Sequence, residues 1–422
     1  MRRPLRVELR RGTAPGAALL MLGVGGWLLA VHPADWGGRW AGLAGYLRTS
    51  LMVLCALMVA AGAWQAGRER RRGMAELLGS TARPGWQPLV VAWLAVSLAG
   101  TAGLLAAFLG AAVLVGRVAT YAGGGWWWTL AVGVLALYPA AAFGVLIGRL
   151  VPLRVVAPIA GLGTYLGLAI LTYWDTSGVS WLSPVHPGSG PEWLPPAGTH
   201  ALQAGWLLAL TGTLLALAAR LRRAALLLGI LAVAVAVPIA TGAGDDGLRT
   251  DPGAVEPTCT TEGPPVCVAR INGFLLDDLA PLIQPVLHRV AGIPGAPTRA
   301  ADAVLQGDGE PGGPADDTLW LHLGDQPTAT GEGLANLGWL HADLRQIVTA
   351  NCHQRLARPD ERVWRTFDVA QAWLFEERPA LDARVGQLYT LSLDEQRAWF
   401  AAFLDATHRC DVPRLIELGE LR

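Results

Sequence analysis

Long uncharged runs fill most of the first 244 residues of this 422-residue chain and constrain its fold more than any other feature. We count seven such runs. At about 1.5 Å per helical residue, each is long enough to cross a hydrocarbon core of about 30 Å. They cover residues 12–34, 49–67, 89–116, 118–148, 155–174, 201–219 and 224–244. The pattern predicts a mainly α, polytopic helical membrane protein.

The composition supports a membrane protein and excludes a P-loop ATPase. With 52% hydrophobic and 16% charged residues, the chain is too apolar for an ordinary soluble domain. Of the 33 acidic residues, 27 lie beyond residue 244, so the zero net charge hides two unlike halves. The chain contains no lysine, which excludes a Walker A phosphate loop. It therefore cannot be its own P-loop ATPase.

The distribution of arginine predicts the orientation in the membrane. Fifteen arginines lie in the amino-terminal segment and in every second connection after it, namely residues 1–11, 67–88, 149–154 and 220–223. The connections between these hold three arginines at most, Arg39, Arg48 and Arg117. By the positive-inside rule, the amino terminus and residues 67–88 are predicted to be cytoplasmic. Seven crossings then make the C-terminal domain extracytoplasmic, in a multi-pass protein of the plasma membrane.

Residues 67–88 form the longest charged interruption in the membrane half. Met74, Leu77 and Leu78 have the i, i+3, i+4 spacing that places side chains on one helix face. The Arg-Pro pair at 83–84 disfavours further helix, because proline restricts the residue before it. The pattern predicts a short helix at the membrane surface whose apolar face fits a socket on a partner protein.

Two other segments have alternative interpretations. Residues 1–11 are predicted to form a short amphipathic helix in the headgroup region. The run that follows could instead be a cleaved signal peptide, although residues 32–34 make a poor cleavage site. Residues 175–199 are rich in Pro, Gly, Ser and Trp, and predict either a loop or a pair of short helices that dip into the outer leaflet.

The cysteines give an independent indication of orientation. Four of the five, Cys259, Cys267, Cys352 and Cys410, lie in residues 245–422. An even set favours disulfides in an oxidising compartment, and three pairings are possible. We favour Cys259 with Cys267 and Cys352 with Cys410. The alternative is four free thiols in a cytosolic domain.

The same residues, 245–422, are predicted to fold as a small α+β domain. Extended pieces are expected within 257–269 and at 318–323. Helices are expected at 273–290, 334–352, 367–375, 379–388 and 392–407.

No catalytic or metal-binding pattern stands out. His322, His341, His353 and His408 are scattered, and we interpret them as ordinary surface or core histidines rather than metal ligands. No ionisable group is assigned to the interior of a span, so the energy for any transport is expected to come from elsewhere. The chain is predicted to be neither an enzyme nor a nucleic-acid-binding protein.

Several of these features together resemble a known family. They are the amphipathic entry at 2–11, the RERRRGMAELL sequence at 68–78 with Arg83-Pro84 behind it, and the long connection at 175–199. Over residues 1–220, the chain resembles the permease subunits of ABC-2-type ABC transporters, especially actinobacterial ones. The resemblance implies a six-span core, with 221–244 as an added seventh span and 245–422 as an added domain.

The resemblance also implies partners and contacts. Residues 67–88 would contain the coupling helix, which docks on a separately encoded cytoplasmic ATPase that binds ATP and Mg²⁺, and a second permease chain would complete a dimer. The residues implied in docking are Glu69, Arg70, Met74, Glu76, Leu77 and Leu78. The expected function is the membrane-spanning subunit of an ABC exporter for an amphiphilic substrate. The alternative is a non-transporting receptor or anchor whose outer domain binds a ligand or partner protein.

Overall fold

The computed structural model describes residues 2–71, 84–173, 178–185, 190–196, 198–242, 248–306, 317–349, 352, 361–376 and 383–420. The chain divides into two compact units, Met1–Asp251 and Pro252–Arg422. We call them the first and the second unit. Both are mainly helical, and each contains a small sheet.

The first unit is built from a short amphipathic helix and a series of long apolar helices. Their bounds are α1 Arg2–Arg11, α2 Ala14–Val31, α3 Trp40–Arg71, α4 Trp86–Val118, α5 Trp126–Leu150, α6 Val156–Tyr173, α7 Thr199–Ala218 and α8 Arg222–Gly242. Seven of the described helices, α2 to α8, are long and apolar enough to cross a membrane. The predicted number of spans is therefore confirmed by length and composition.

Two predicted boundaries are wrong, for different physical reasons. The second span was expected to begin at residue 49, but α3 begins at Trp40 and carries Arg48 inside it. The helix continues through Arg48 because the guanidinium group donates hydrogen bonds to acceptors within the protein. The fourth span was expected to begin at residue 118, but that uncharged run contains a turn. Gly124 and Gly125 adopt φ of +80° and +61°, which glycine tolerates best.

Close glycine contacts join α3 to α5. Gly144 and Gly148 are one turn apart on α5, and a Cβ atom on either would collide with the α3 backbone at Val59 or Ala63. This small-xxx-small arrangement lets two helices approach closely, as is common in membrane proteins. These two glycines therefore allow the close packing of α3 and α5.

The connection between α6 and α7 is partly buried. Residues Gly178–Leu182 form a 3₁₀ helix, and Trp181 within it is buried against Ile239 of α8. Further along, strand β1, Trp193–Leu194, pairs antiparallel with β2, Arg249–Thr250, just after α8. The described part of the connection therefore combines a 3₁₀ turn with a strand, rather than the predicted alternatives of a plain loop or two helices.

The second unit contains a four-stranded sheet with the order β3-β4-β5-β6. The strands are β3 Pro257–Cys259, β4 Val266–Ala269, β5 Arg299–Asp302 and β6 Thr318–Leu321. β3 and β4 are antiparallel, whereas β4, β5 and β6 are parallel to one another. The predicted extended pieces are confirmed; β5 was not predicted.

Helices complete the second unit and supply most of its apolar core. They are α9 Leu276–Val290, α10 Leu337–Thr349, α11 Glu361–Leu374, α12 Ala383–Thr390, α13 Leu393–Arg409 and α14 Val412–Gly419. Helix α13 begins with a capping box in which Ser392 and Glu395 satisfy each other's backbone N–H groups. All five predicted helices are present with shifted bounds, and α14 is an additional one.

Both favoured disulfides are present. Cys259 and Cys267 face each other across the β3–β4 pair with Cα atoms 4.0 Å apart. Cys352 bonds Cys410, 58 residues further on, with Cα atoms 5.1 Å apart. The first bond closes a hairpin; the second ties the segment after α10 to the end of α13.

Candidate functional site

The predicted ATPase-docking residues lie at and beyond the end of α3. Glu69 and Arg70 belong to its last turn. Met74, Glu76, Leu77 and Leu78 lie outside the described residues, so their predicted helix stays a prediction. What the structure describes is the frame around them, which is formed by the end of α3, the start of α4 and the amino-terminal helix α1.

Helix α1 is attached to the end of α3 by a polar cluster. Glu8 accepts hydrogen bonds from Arg68 at 2.6 Å and from Gln65 at 2.9 Å. Thr13 donates to Gln65 at 2.5 Å. The Glu8 and Arg68 side chains are only 24% and 25% exposed, so their ion pair is less screened by solvent than a surface pair. We call Glu8, Thr13, Gln65 and Arg68 the α1 clamp.

The apolar face of α1 is packed against α4. Leu5 and Leu9 contact a small buried cluster that includes Ala95 and Ala99. The i, i+4 spacing of the two leucines places them on one side of the helix, opposite the exposed Val7. As a result, α1 touches both of the helices that bracket residues 72–85.

A buried polar cluster lies elsewhere in the first unit, around Arg48. The Arg48 side chain is 1% exposed. Its Nε donates to the Pro184 carbonyl at 2.9 Å, and its Nη2 donates to Gln203 Oε1 at 2.9 Å. Its Nη1 has no hydrogen-bond partner among the described residues. We call Arg48, His200, Gln203 and the Pro184 carbonyl the Arg48 site.

The neighbours of the Arg48 site hold it in one geometry. Gln203 donates its Nε2 to the Trp181 carbonyl at 2.9 Å, which turns its Oε1 towards Arg48. The hydroxyl groups of Ser183 and Thr172 are hydrogen-bonded at 2.7 Å and anchor the same stretch of backbone to α6. His200 interacts with the Gln203 side chain and with the charge of Arg48, and its buried Nδ1 has no partner with hydrogen-bond geometry among the described residues.

The Arg48 site contradicts the expectation that no ionisable group lies inside a span. Arg48 is the ninth residue of α3, and arginines within spanning helices are usually functional because lipid disfavours their charge. The sequence held one signal for it: no proline interrupts residues 40–67, so one helix can pass through Arg48. The acceptors could not be foreseen, since they lie 136 and 155 residues away.

A histidine–carboxylate pair stands at the sheet of the second unit. His322, directly after β6, donates its backbone N–H to Asp343 Oδ2 at 2.7 Å. Its ring Nδ1 lies 2.9 Å from Asp343 Oδ1. The Asp343 side chain is 7% exposed, whereas that of His322 is 64% exposed. The buried carboxylate therefore fixes the orientation of an accessible imidazole, a contact that no sequence pattern indicates.

Strand β5, which neighbours β6, also ends in a carboxylate, but that carboxylate is already hydrogen-bonded within the protein. Asp302 ends β5 opposite Leu321 of β6 and is completely buried. It accepts hydrogen bonds from Asn272 at 2.6 Å and from the backbone of Ala269 and Val304, each at 3.2 Å. These contacts connect the ends of β4 and β5, so Asp302 has a structural role.

The remaining histidines of the second unit are spread out. His341 packs beside Phe375 with ring centroids 5.5 Å apart, and the His408 ring borders Gly295. His353 lies outside the described residues. Within the described ranges, no three His, Cys, Asp or Glu side chains are grouped so that they could hold a metal ion.

The fold and the sites define a class of protein: a bundle with seven membrane-length helices joined to a compact, disulfide-bonded α+β unit. Comparisons with protein-family models, with curated proteins and with solved structures found no match to this chain. Its function must therefore be argued from its own residues.

Proposed function

We propose that this protein is the membrane-spanning permease subunit of an ABC exporter. A separate cytoplasmic ATPase would bind residues 67–88, and its ATP hydrolysis would drive the transport of an amphiphilic substrate. The single observation that carries the proposal is the charged segment after the second apolar helix, with Met74, Leu77 and Leu78 at the spacing of one apolar face. The resemblance to ABC-2-type permeases rests on this segment together with residues 2–11 and 175–199.

The described frame around this segment supports a coupling role. Helix α3 leads into it and packs against α4, α5 and α6, so a displacement of its end would be passed to much of the first unit. The α1 clamp joins α1 to that end through Glu8 and Arg68. A motor that pulled on residues 67–88 would thus act on a connected group of helices rather than on a free loop.

The composition and surface of the chain support an ATP-binding partner, contact with lipid and an extracytoplasmic second unit. The chain lacks lysine, so ATP and Mg²⁺ would be bound by the partner ATPase. The exposed face of α6 is apolar, with Ile159, Leu162, Leu166 and Ile170 all more than half exposed, as suits contact with lipid. A second permease chain would complete the transport unit. In the proposed orientation, the second unit is extracytoplasmic, where its two disulfides are stable.

The docking role is tested by replacing Leu77 and Leu78 with Asp. Two carboxylates on the apolar face would have to be desolvated in the socket, so we expect the variant to lose co-purification with the co-expressed ATPase. Membrane insertion should be unchanged. Leu153→Asp and Leu221→Asp are the matched controls, since both residues are exposed in other connections on the same predicted side. An intact complex in the double variant would refute the docking role.

A second candidate function is a non-transporting receptor or anchor. The observation that favours it is the accessible His322 ring held by the buried Asp343 carboxylate at 2.9 Å. An oriented imidazole can donate to or accept from a ligand.

Complementation of a deletion strain separates the two functions. The receptor function predicts that Asp343→Asn fails to restore the wild-type phenotype, whereas the Leu77 and Leu78 double variant and the control His341→Asn both succeed. The exporter function predicts failure of the double variant.

A further inference from the structure

We infer that the Arg48 site binds one oxyanion, a phosphate or carboxylate group, between α3 and the first turns of α7. This inference does not depend on the proposed transport function. It rests on three features of the first unit that all favour negative charge, and on the fact that no described side chain supplies that charge.

The first feature is the unused donor of Arg48. A guanidinium group is permanently charged and offers five N–H donors in a fixed plane. In this protein, Nε and Nη2 bond two neutral oxygens, while the buried Nη1 has no partner among the described residues. Neutral acceptors satisfy hydrogen bonds but leave the charge uncompensated. An oxyanion would satisfy both the donor and the charge.

The second feature is the amino terminus of α7. The helix begins after Gly198, which has φ of +87° and provides no side-chain cap. The first turn of a helix presents free N–H groups and a partial positive charge, so it favours anions. Gln203, the acceptor for Arg48, lies just beyond this turn. Arg48 therefore lies beside the positive end of a helix rather than beside a carboxylate.

The third feature is His200, in the first turn of α7. Its Nδ1 is buried and has no partner with hydrogen-bond geometry among the described residues, while the ring interacts with the Gln203 side chain and with the charge of Arg48. An imidazole N–H directed at an oxyanion would satisfy this atom. A cation in the same place would instead be repelled by Arg48 and by the helix end.

A purely structural role accounts for only part of this geometry. Arg48 does join α3 to the Pro184 carbonyl and to α7, and that contact stabilises the connection between α6 and α7. The Nε and Nη2 bonds are sufficient for this role. Such a role gives no reason for the buried Nη1 to be left without a hydrogen-bond acceptor among the described residues.

Hydrogen bonds hold the neighbours of Arg48 in place. Gln203 is held by the Trp181 carbonyl, and the Trp206 indole donates to the Leu182 carbonyl at 3.2 Å. Trp181 and Val185 are almost completely buried and line the same segment with apolar surface. An oxyanion here would have an apolar neighbourhood, so the group could belong to an amphiphile such as an anionic lipid or to a free anion.

The test uses the full chain, purified in a neutral detergent, and measures the melting midpoint. In one arm, the chain is titrated with inorganic phosphate against chloride at equal ionic strength. In the other, it is titrated with short-chain phosphatidylglycerol against short-chain phosphatidylcholine. We expect a saturable rise in the midpoint in at least one arm. A rise with phosphate identifies a free anion as a sufficient ligand, and a rise only with phosphatidylglycerol identifies a lipid headgroup.

Three variants make the test specific. Arg48→Gln should lose the response. Because that variant also loses a contact between helices, Gln203→Glu is the second test: it leaves Arg48 in place and adds an internal carboxylate, which should abolish the response to added anion. Arg117→Gln changes the net charge by the same amount as Arg48→Gln at an exposed position, and should keep the response. The inference is overturned if the wild type responds in neither arm, or if Gln203→Glu responds like the wild type.

Discussion

Arg48 shows, at the scale of the residue, why a charge pattern can mislead. On a hydropathy basis, an arginine flanked by apolar residues is assigned to a loop, because its charge opposes insertion. In the folded chain, its hydrogen bonds to Pro184 and Gln203 allow α3 to continue through it. Those partners come from distant parts of the sequence, so only the packed helices disclose them.

His408 gives a prediction about pH at the same scale. Burial lowers the pKa of the His408 ring, which lies at the end of α13 against Gly295. The unfolded chain then binds a proton more readily than the folded one, so the neutral ring contributes stability above the unfolded pKa of about 6.5. That contribution is lost as the pH falls through the lower, folded pKa.

We therefore expect the second unit to melt at a lower temperature at pH 5 than at pH 7, and His408→Gln to reduce this difference. Protease sensitivity of the second unit, measured while the full chain is heated at each pH, reports the midpoint. The exposed His341→Gln is the control and should behave like the wild type. Equal pH dependence in all three proteins would show that His408 makes no such contribution.

The contact between α3 and α5 decides the packing of the first unit at the scale of the element. Gly144 has no room for a Cβ atom because the Val59 carbonyl of α3 occupies that space. We expect Gly144→Ala to lower the stability of the full chain by about 1 to 3 kcal/mol, the usual cost of overpacking.

The melting midpoint in detergent measures this effect. Gly163→Ala on α6 is the matched control, since nothing lies within 4 Å of the added atom, and it should change stability by no more than about 0.5 kcal/mol. If both substitutions have the same effect, the α3–α5 contact is not the cause.

The second unit shows which elements a pattern can predict. The helix at 273–290 and the extended pieces around Cys259 and Cys267 follow from local periodicity and composition, and both are present. Strand β5, Arg299–Asp302, has two alanines between charged ends and no apolar alternation. It is a strand because β4 and β6 flank it in the sheet, which is a tertiary effect.

Orientation in the membrane is a prediction for the whole molecule. The arginine distribution predicts a cytoplasmic amino terminus, and seven crossings predict an extracytoplasmic carboxyl terminus. A reporter active only outside the cytoplasm, such as alkaline phosphatase, is expected to be active when fused to the carboxyl terminus. The matched fusion after residue 221, between α7 and α8, should be inactive. The reverse pattern would remove the basis for ATPase access to residues 67–88.

The sequence alone determined the number of membrane-length helices, because hydrophobicity acts over short stretches of chain, and it favoured the pairing of Cys259 with Cys267, which are eight residues apart. The tertiary structure decided the buried partners of Arg48, the pairing of His322 with Asp343 and the glycine contact between α3 and α5. Each of these joins residues that are far apart in the sequence. Their energies depend on which surfaces meet, and no local pattern encodes that.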